Sequence, residues 1–255
     1  MTTDGLPPAP WRAPRKAAAR RDRPALSRDA IVAKAVEIID AEGVDAVSMR
    51  RIATELGTGP ASLYAYVAGK DELLAAAYEL VMQELEVPNP DQAWQDVVRQ
   101  WAIGTYELLG RHRDLAKLSF ADIPTGPQAL NVVEVLLTAM IGQGVAPHDA
   151  AWLMDRLALY LGADAFEGYL LQQRFNAADA GAAKAAGREW LDQVRQFFEA
   201  LPKDRYPTLT ANLPPMISGD GDERFMYGVD LMIAGVEARN PSSTKARRSR
   251  PPKRS

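Results

Sequence analysis

Residues 46–72, AVSMRRIATELGTGPASLYAYVAGKDE, constrain this chain more than any other stretch. Met49, Ile52, Ala53 and Leu56 recur at the spacing of one helix face. Ser48 precedes them with a hydroxyl suited to an N-cap. Gly57 follows Leu56, where a left-handed residue ends a helix most easily. Thr58 is then placed to cap a second helix over 60–66, with Pro60 near its start, where a missing N–H costs little. In that helix Leu63 points inward, and Ser62, Tyr64 and Tyr66 are left outward. Helix, glycine-centred turn and short polar-aromatic helix make a helix-turn-helix, whose second helix enters a DNA major groove.

The flanking residues complete a small helical unit. Ser27 caps a helix over 28–42, with Ile31, Ala35, Ile38 and Ile39 on its apolar stripe and Val32 and Val36 widening it. Lys70-Asp71-Glu72 opens another over 71–86, with acids in the first turn, where the helix dipole favours them. After the break Val87-Pro88-Asn89-Pro90, helices are expected over 92–111, 113–119, 126–143, 148–175, 188–201 and 222–239. No segment pairs a period of two with hairpin turns, so the fold is read as all-α. The Ala/Gly-rich residues 176–187 read as a flexible loop, either a gate or, as the composition favours, simply a poorly ordered surface loop. The expected domains are a disordered basic arm over 1–26, the helix-turn-helix domain over 27–72, a helical ligand-binding and dimerisation domain over 73–239, and a disordered basic tail over 240–255.

Charge distribution says more than net charge. The total is −3, yet residues 1–26 carry +4, residues 238–255 carry +7, and the body between them −14. Basic ends of this kind add salt-dependent, sequence-blind affinity for phosphates. Arg12, Arg15, Lys16, Arg20, Arg21 and Arg23 directly precede the helix-turn-helix, where an arm can reach a minor groove. The chain has no cysteine, which removes disulfides, thiolate nucleophiles and Cys-based zinc sites. Apolar runs are broken by charge well short of the ~20 residues a membrane span needs. MTTDGLPPAPWRAPRK lacks the apolar segment of a secretory signal, and a cytoplasmic location is expected.

Ser48-Met49-Arg50-Arg51-Ile52-Ala53, Leu56-Gly57, Ser62-Leu63-Tyr64 and Lys70-Asp71-Glu72-Leu73-Leu74, with Gly43 ending the preceding helix, resemble the amino-terminal domain of tetracycline-repressor (TetR) family regulators over residues 27–75. The resemblance implies a DNA face of Met49, Arg50, Pro60, Ala61, Ser62, Tyr64, Tyr66 and Lys70. Arg50 carries a planar fork that matches guanine or a phosphate. Ser62 can bond either, Pro60 and Ala61 offer apolar contact to a thymine methyl, and the tyrosine hydroxyls and Lys70 suit phosphates. A short helix with so few base readers needs a homodimer on a palindromic operator.

A second resemblance runs over residues 92–170. It rests on Trp94-Gln95-Asp96, Leu108-Leu109, His112-Arg113-Asp114, Ala116-Lys117, Pro124-Thr125, Gly142-Gln143-Gly144, Leu161-Gly162 and Glu167, and points to the ligand-binding domain of the tetracycline repressors. In that family a helical cavity holds the inducer, and a four-helix bundle dimerises. By order along the chain that bundle is the helices at 148–175 and 222–239, with 71–86 as the lever to the DNA-reading head. The implied ligand-binding residues are Trp101, Thr105, Ser119, Phe120, Asp122, Val135, Tyr160, Asp164 and Glu167. Ser119 stands where the family's metal-binding histidine belongs, Trp101 where an asparagine holds the drug, Thr105 where an aromatic contact lies, and Val135 where a glutamine does. His112 and His148 are the only histidines, and neither falls at the metal position. The expectation is therefore no metal and no cofactor, and an apolar or aromatic inducer rather than magnesium–tetracycline.

Catalysis finds no motif: there is no Ser–His–Asp constellation, no H-E-x-x-H, no Walker loop and no strand-borne G-x-G-x-x-G. The chain is read as a ligand-responsive transcriptional repressor and not an enzyme. The competing readings are a constitutive DNA-binding protein with a filled core at 92–170, and a helical small-molecule carrier or enzyme with a vestigial helix-turn-helix.

Overall fold

The computed structural model describes residues 26–120, 125–175 and 180–241. Among these, the chain is helical throughout, without strands. The helices are α1 (Arg28–Glu42), α2 (Met49–Glu55), α3 (Pro60–Leu63), α4 (Lys70–Met82), α5 (Trp94–Arg111), α6 (Pro127–Gly142), α7 (Pro147–Arg174), α8 (Ala180–Glu199), α9 (Pro207–Ala211), α10 (Leu213–Met216) and α11 (Gly221–Arg239), with 3₁₀ turns at Val44–Ala46 and Leu115–Ser119.

The caps read from sequence form as local chemistry dictates. Ser27 Oγ accepts the Ala30 N–H and Ser48 Oγ the Arg51 N–H, both at 3.1 Å. Gly43 and Gly57 take φ of 96° and 65°, the left-handed values that end α1 and α2. Thr58 does not cap α3. Its N–H instead closes the end of α2 on the Ala53 carbonyl at 2.8 Å, and Gly59 becomes the N-cap. Helix α3 also stops at Leu63 rather than 66, so Tyr64 and Tyr66 lie on the turn beyond it.

Ile31, Ala35 and Ile39 of α1 are buried with Ile52 of α2, Leu63 of α3, and Leu73 and Ala77 of α4, which makes a compact head. Helix α4 belongs to this core by its N-terminal half and to the body by its C-terminal half, ending at Met82 rather than 86. In the body, α5 lies against α7 and runs antiparallel to α11. Gln95 Nε2 donates to Glu237, Arg99 pairs with Asp230 at 2.8 Å, and Tyr106 stacks on Phe225 at 4.1 Å. Helices α7 and α11 are also antiparallel: Asp149 meets Arg239 and Asn240 at one end, and Tyr160 meets Phe225 at the other. An Asp220–Glu223 capping box starts α11.

Three expectations are corrected in the body. Residues 180–187 are not loop but the first turns of α8; alanine, the best helix former, dominates them. The span from 202 to 221 holds α9 and α10, each opened by a proline in its first turn. The segment 113–119 is a turn of 3₁₀ helix, not an α-helix. The basic arm, residues 176–179, Asp122 and the tail from 242 lie outside the described residues.

Candidate DNA face and ligand cavity

The candidate DNA face is built by the turn after α2. Gly57 reverses the chain, so Pro60, Ala61, Ser62, Tyr64 and Tyr66 all come to the surface while Leu63 is fully buried beneath them. Tyr64 and Tyr66 are 55% and 37% exposed, unusual for tyrosines with no ring partner recorded. Arg50 is exposed, and Lys70 opens α4 half-buried. Met49 differs from the rest: it is 9% exposed and packs in the head core, so its side chain does not join the exposed face. The adjacent arginines have separate fates. Arg51 is tied to Glu42 at 2.7 Å and Glu55 at 3.1 Å, whereas Arg50 has no recorded ion pair among the described residues.

Behind the head, the segment His112–Lys117 fastens it to the body. Arg113 turns the chain with φ 40°. His112 Nδ1 lies 2.9 Å from Asp40, and Arg113 donates to the Ala41 carbonyl at 3.2 Å. Asp114 is 2% exposed; its carboxylate accepts the Val44 N–H at 2.8 Å and pairs with Lys117 at 2.6 Å. The Asp114 hydrogen bond holds the Lys117 ammonium above its usual range despite some opposing desolvation. A Cβ at Gly43 would crowd both Asp114 oxygens at 3.2 Å, on a backbone whose φ of 96° already favours glycine.

A cavity of about 600 Å³ lies between α4, α5, α6, α7 and the 115–119 turn. Trp101, Thr105 and Ser119 line it, together with Tyr78 and Met82 of α4, Leu85 just beyond α4, Leu118 of the 3₁₀ turn, Gln128, Val132 and Val133 of α6, and Met154 of α7. It opens through the exposed Ala151, Asp155 and Ala158 of α7. The Thr105 hydroxyl is buried without a hydrogen-bond partner, and Ser119 Oγ donates to the Ala116 carbonyl at 2.8 Å, which leaves it able to accept.

The remaining expected ligand residues lie elsewhere. Val135 sits on α6 one residue before Leu136 and three after Val132; it is half-buried against the core and does not line the cavity. Phe120 is 37% exposed and meets Phe166 edge-on at 6.3 Å. Tyr160, Asp164 and Glu167 share another face of α7. Tyr160 donates to the Phe225 carbonyl at 3.1 Å and stacks on the Phe225 ring. Burial pushes the Asp164 carboxyl up to about 6, with Glu167 and Asp222 adding like charge. Burial and the Asp164 charge likewise push Tyr106 and Tyr160 up to about 12.

A magnesium site of the tetracycline type does not fit these residues. No imidazole lines the cavity: His112 is committed to Asp40 at the head, and His148 stands against Asp149 and Trp152 at the start of α7. Asp155 is the one carboxylate on the cavity wall among the described residues, which hold no cluster of three metal-ligating side chains.

A helix-turn-helix head carried on a helical body with an internal cavity defines a DNA-binding regulator of transcription. The chain belongs to the TetR family: residues 31–77 match the profile "Bacterial regulatory proteins, tetR family", and residues 87–240 match "Tetracyclin repressor-like, C-terminal domain". The transcriptional repressor DrrR1 of Streptomyces coeruleorubidus is 32% identical over 220 residues, covering 86% of this chain and 80% of that protein. The class D tetracycline repressor of Escherichia coli is 28% identical over 83% of this chain and 89% of its own length. The crystal structure of ActR from Streptomyces coelicolor in complex with actinorhodin superposes with a TM-score of 0.75 at 35% identity, over 85% of this chain and 98% of that one.

Proposed function

We propose that this regulator is a homodimeric repressor that binds a palindromic operator and leaves it when a small-molecule inducer fills the α4–α7 cavity. The observation that carries the reading is one helix with two duties. Helix α4 presents Lys70 at its N-terminal end beside the DNA face, and Tyr78 and Met82 to the cavity at the other. Any ligand that favours one position of α4 biases the head by the difference in its affinity for the two arrangements.

The inducer is an aromatic, largely apolar molecule anchored by few hydrogen bonds. Trp101 and the aliphatic wall supply area, and Thr105 and Ser119 supply polar anchors. ActR, whose crystal structure holds actinorhodin, supports this class over a metal chelate. Dimerisation through α7 and α11 is supported by the exposed Trp152, Leu159 and Leu170 on the first and Tyr227 and Leu231 on the second. Binding to chromosomal DNA puts the protein in the cytoplasm. The open cavity speaks against a constitutive binder with a filled core.

Selection of duplexes from a randomised pool by the full-length protein tests the reading. The expected winners carry inverted half-sites about one helical turn apart. Actinorhodin is the first inducer probe, added to the selected complex. No retained DNA at low salt overturns the regulator; retained duplexes without inverted symmetry overturn the dimeric mode.

A further inference from the structure

Glu79 lies on α4 one residue after Tyr78 and three before Met82, both on the cavity wall. Its half-buried carboxylate reaches the first turn of α6, where Oε1 accepts the Gln128 N–H at 3.3 Å. Gly126, the N-cap of α6, makes room for it: a Cβ there would stand 1.7 Å from the Glu79 carboxyl carbon. The φ of Gly126 is −69°, open to any residue, so what a side chain there would displace is the Glu79 carboxylate and not the backbone. The Gln128 side chain closes the clasp from the other direction, its Nε2 donating to the Leu85 carbonyl at 2.9 Å, beyond the C-terminal end of α4. Gln128 and Leu85 also line the cavity.

A carboxylate at the positive end of a helix dipole is held electrostatically as well as by its hydrogen bond. No ion pair competes for Glu79 among the described residues, where the α6 N-terminus is its recorded partner. Helix α6 forms one wall of the cavity through Ala129, Val132 and Val133, and α4 packs along α1 in the head. A displacement of α6 is therefore passed to α4 through this clasp, alongside any push on the α4 side chains that line the cavity.

We propose that Glu79 is the positioning residue that couples the cavity to the head: its grip on the α6 N-terminus makes α4 follow α6 when the cavity fills. This rests on the proposed control of the head by the cavity, and the test separates the two. In the full-length protein, Ala158→Phe at the cavity mouth stands in for a filled cavity, and affinity for the selected duplex is read by fluorescence anisotropy. Ala151→Phe serves as a second filler; thermal melting confirms that each variant folds, and size-exclusion chromatography that each keeps the oligomeric state of the parent, since both positions flank Trp152 and Leu159 on α7. With Glu79 present, a filler weakens DNA binding by about ten-fold or more, within the usual range of coupling energies. In a Glu79→Gln background, which keeps the shape and removes the charge, the same filler costs less than about three-fold, and the double-mutant cycle measures the difference. Gly126→Ala, which evicts the carboxylate sterically, gives the same loss of coupling. Equal weakening in both backgrounds overturns the role of Glu79 and leaves control by the cavity standing. No weakening by either filler in the Glu79 protein overturns both.

Discussion

The Asp114 carboxylate accepts the backbone N–H of Val44 at 2.8 Å across 70 residues of sequence, and it does so 2% exposed. This bond joins the turn that carries Leu118 and Ser119 into the cavity to the turn between α1 and α2 of the head. Asp114→Ala leaves the buried Val44 amide without its partner and the Lys117 ammonium with Asp45 alone. The expected cost is about 2–3 kcal/mol of unfolding free energy, read by urea denaturation with an unchanged m-value. Asp114→Asn keeps an acceptor and costs less. A loss below roughly 0.5 kcal/mol for Asp114→Ala would mean that water satisfies the Val44 amide.

Neighbouring arginines are expected to behave differently on DNA. Arg50 is exposed and Arg51 is held between Glu42 and Glu55. Arg50→Ala should weaken operator binding by about 1–3 kcal/mol if it reads a base, or lower the salt slope by about 1 if it meets a phosphate. Arg51→Ala should change stability by less than about 1 kcal/mol, since exposed pairs contribute little, and affinity still less. Mobility shifts over a salt series separate the two. Equal losses at both positions would sink the distinction. Tyr64→Ala, beyond the end of α3, should weaken binding without altering the melting curve.

Thr105 tests whether the cavity anchors a polar group. Its orphaned hydroxyl makes the empty protein less stable than a nearly isosteric methyl would. Thr105→Val should raise unfolding free energy by roughly 1 kcal/mol, because a buried hydroxyl without a partner carries an uncompensated desolvation penalty. The same change should weaken the binding of any inducer whose polar group meets the hydroxyl. A destabilised valine variant would show that an ordered water already pairs with Thr105.

Asp164 gives a pH-dependent signature. Its carboxyl is raised from an ordinary 3.8 to about 6, by burial first and then by Glu167 and Asp222. A folded-state value above the unfolded one means that the protonated acid fits the fold better. The penalty is absent below about pH 4 and complete once pH has risen through 6. Asp164→Asn should therefore raise the melting temperature at pH 8 and leave it almost unchanged at pH 4. The gain corresponds to roughly 1 kcal/mol after allowing for partial exposure. Calorimetry at the two pH values checks the sign, and a gain confined to low pH would reverse the assignment.

Features set by local chemistry were legible in the residues themselves. Ser27, Ser48, Gly43 and Gly57 announce helix ends because caps and left-handed turns depend on a handful of neighbouring atoms. The α1 stripe was legible for the same reason, as a period. Thr58 was misread because its N–H, not its hydroxyl, is what the turn uses. The start of α8 was misread because Ala and Gly together suggest a loop, while the alanines alone favour helix. Of the cavity, Trp101, Thr105 and Ser119 were found by likeness, but likeness carries a position and not the face it occupies. Val135 shows the difference: on α6 one residue decides between the core and the cavity, and Val132 and Val133 take the wall instead. The α4 lining and the Glu79–Gln128 bond had no sequence signal at all, since 49 residues separate the partners.

The space beside Gly126, filled by the Glu79 carboxyl group, ties two distant positions into one evolutionary unit. A Cβ at 126 and that carboxyl group would occupy the same volume, so a side chain acquired at 126 makes the acid swing off the α6 N-terminus without having to be lost. Close homologues that keep the clasp should then pair glycine at the first position with an acid at the second. A homologue carrying both a side chain and the acid should hold that acid elsewhere, and selection on the acid should be relaxed from then on.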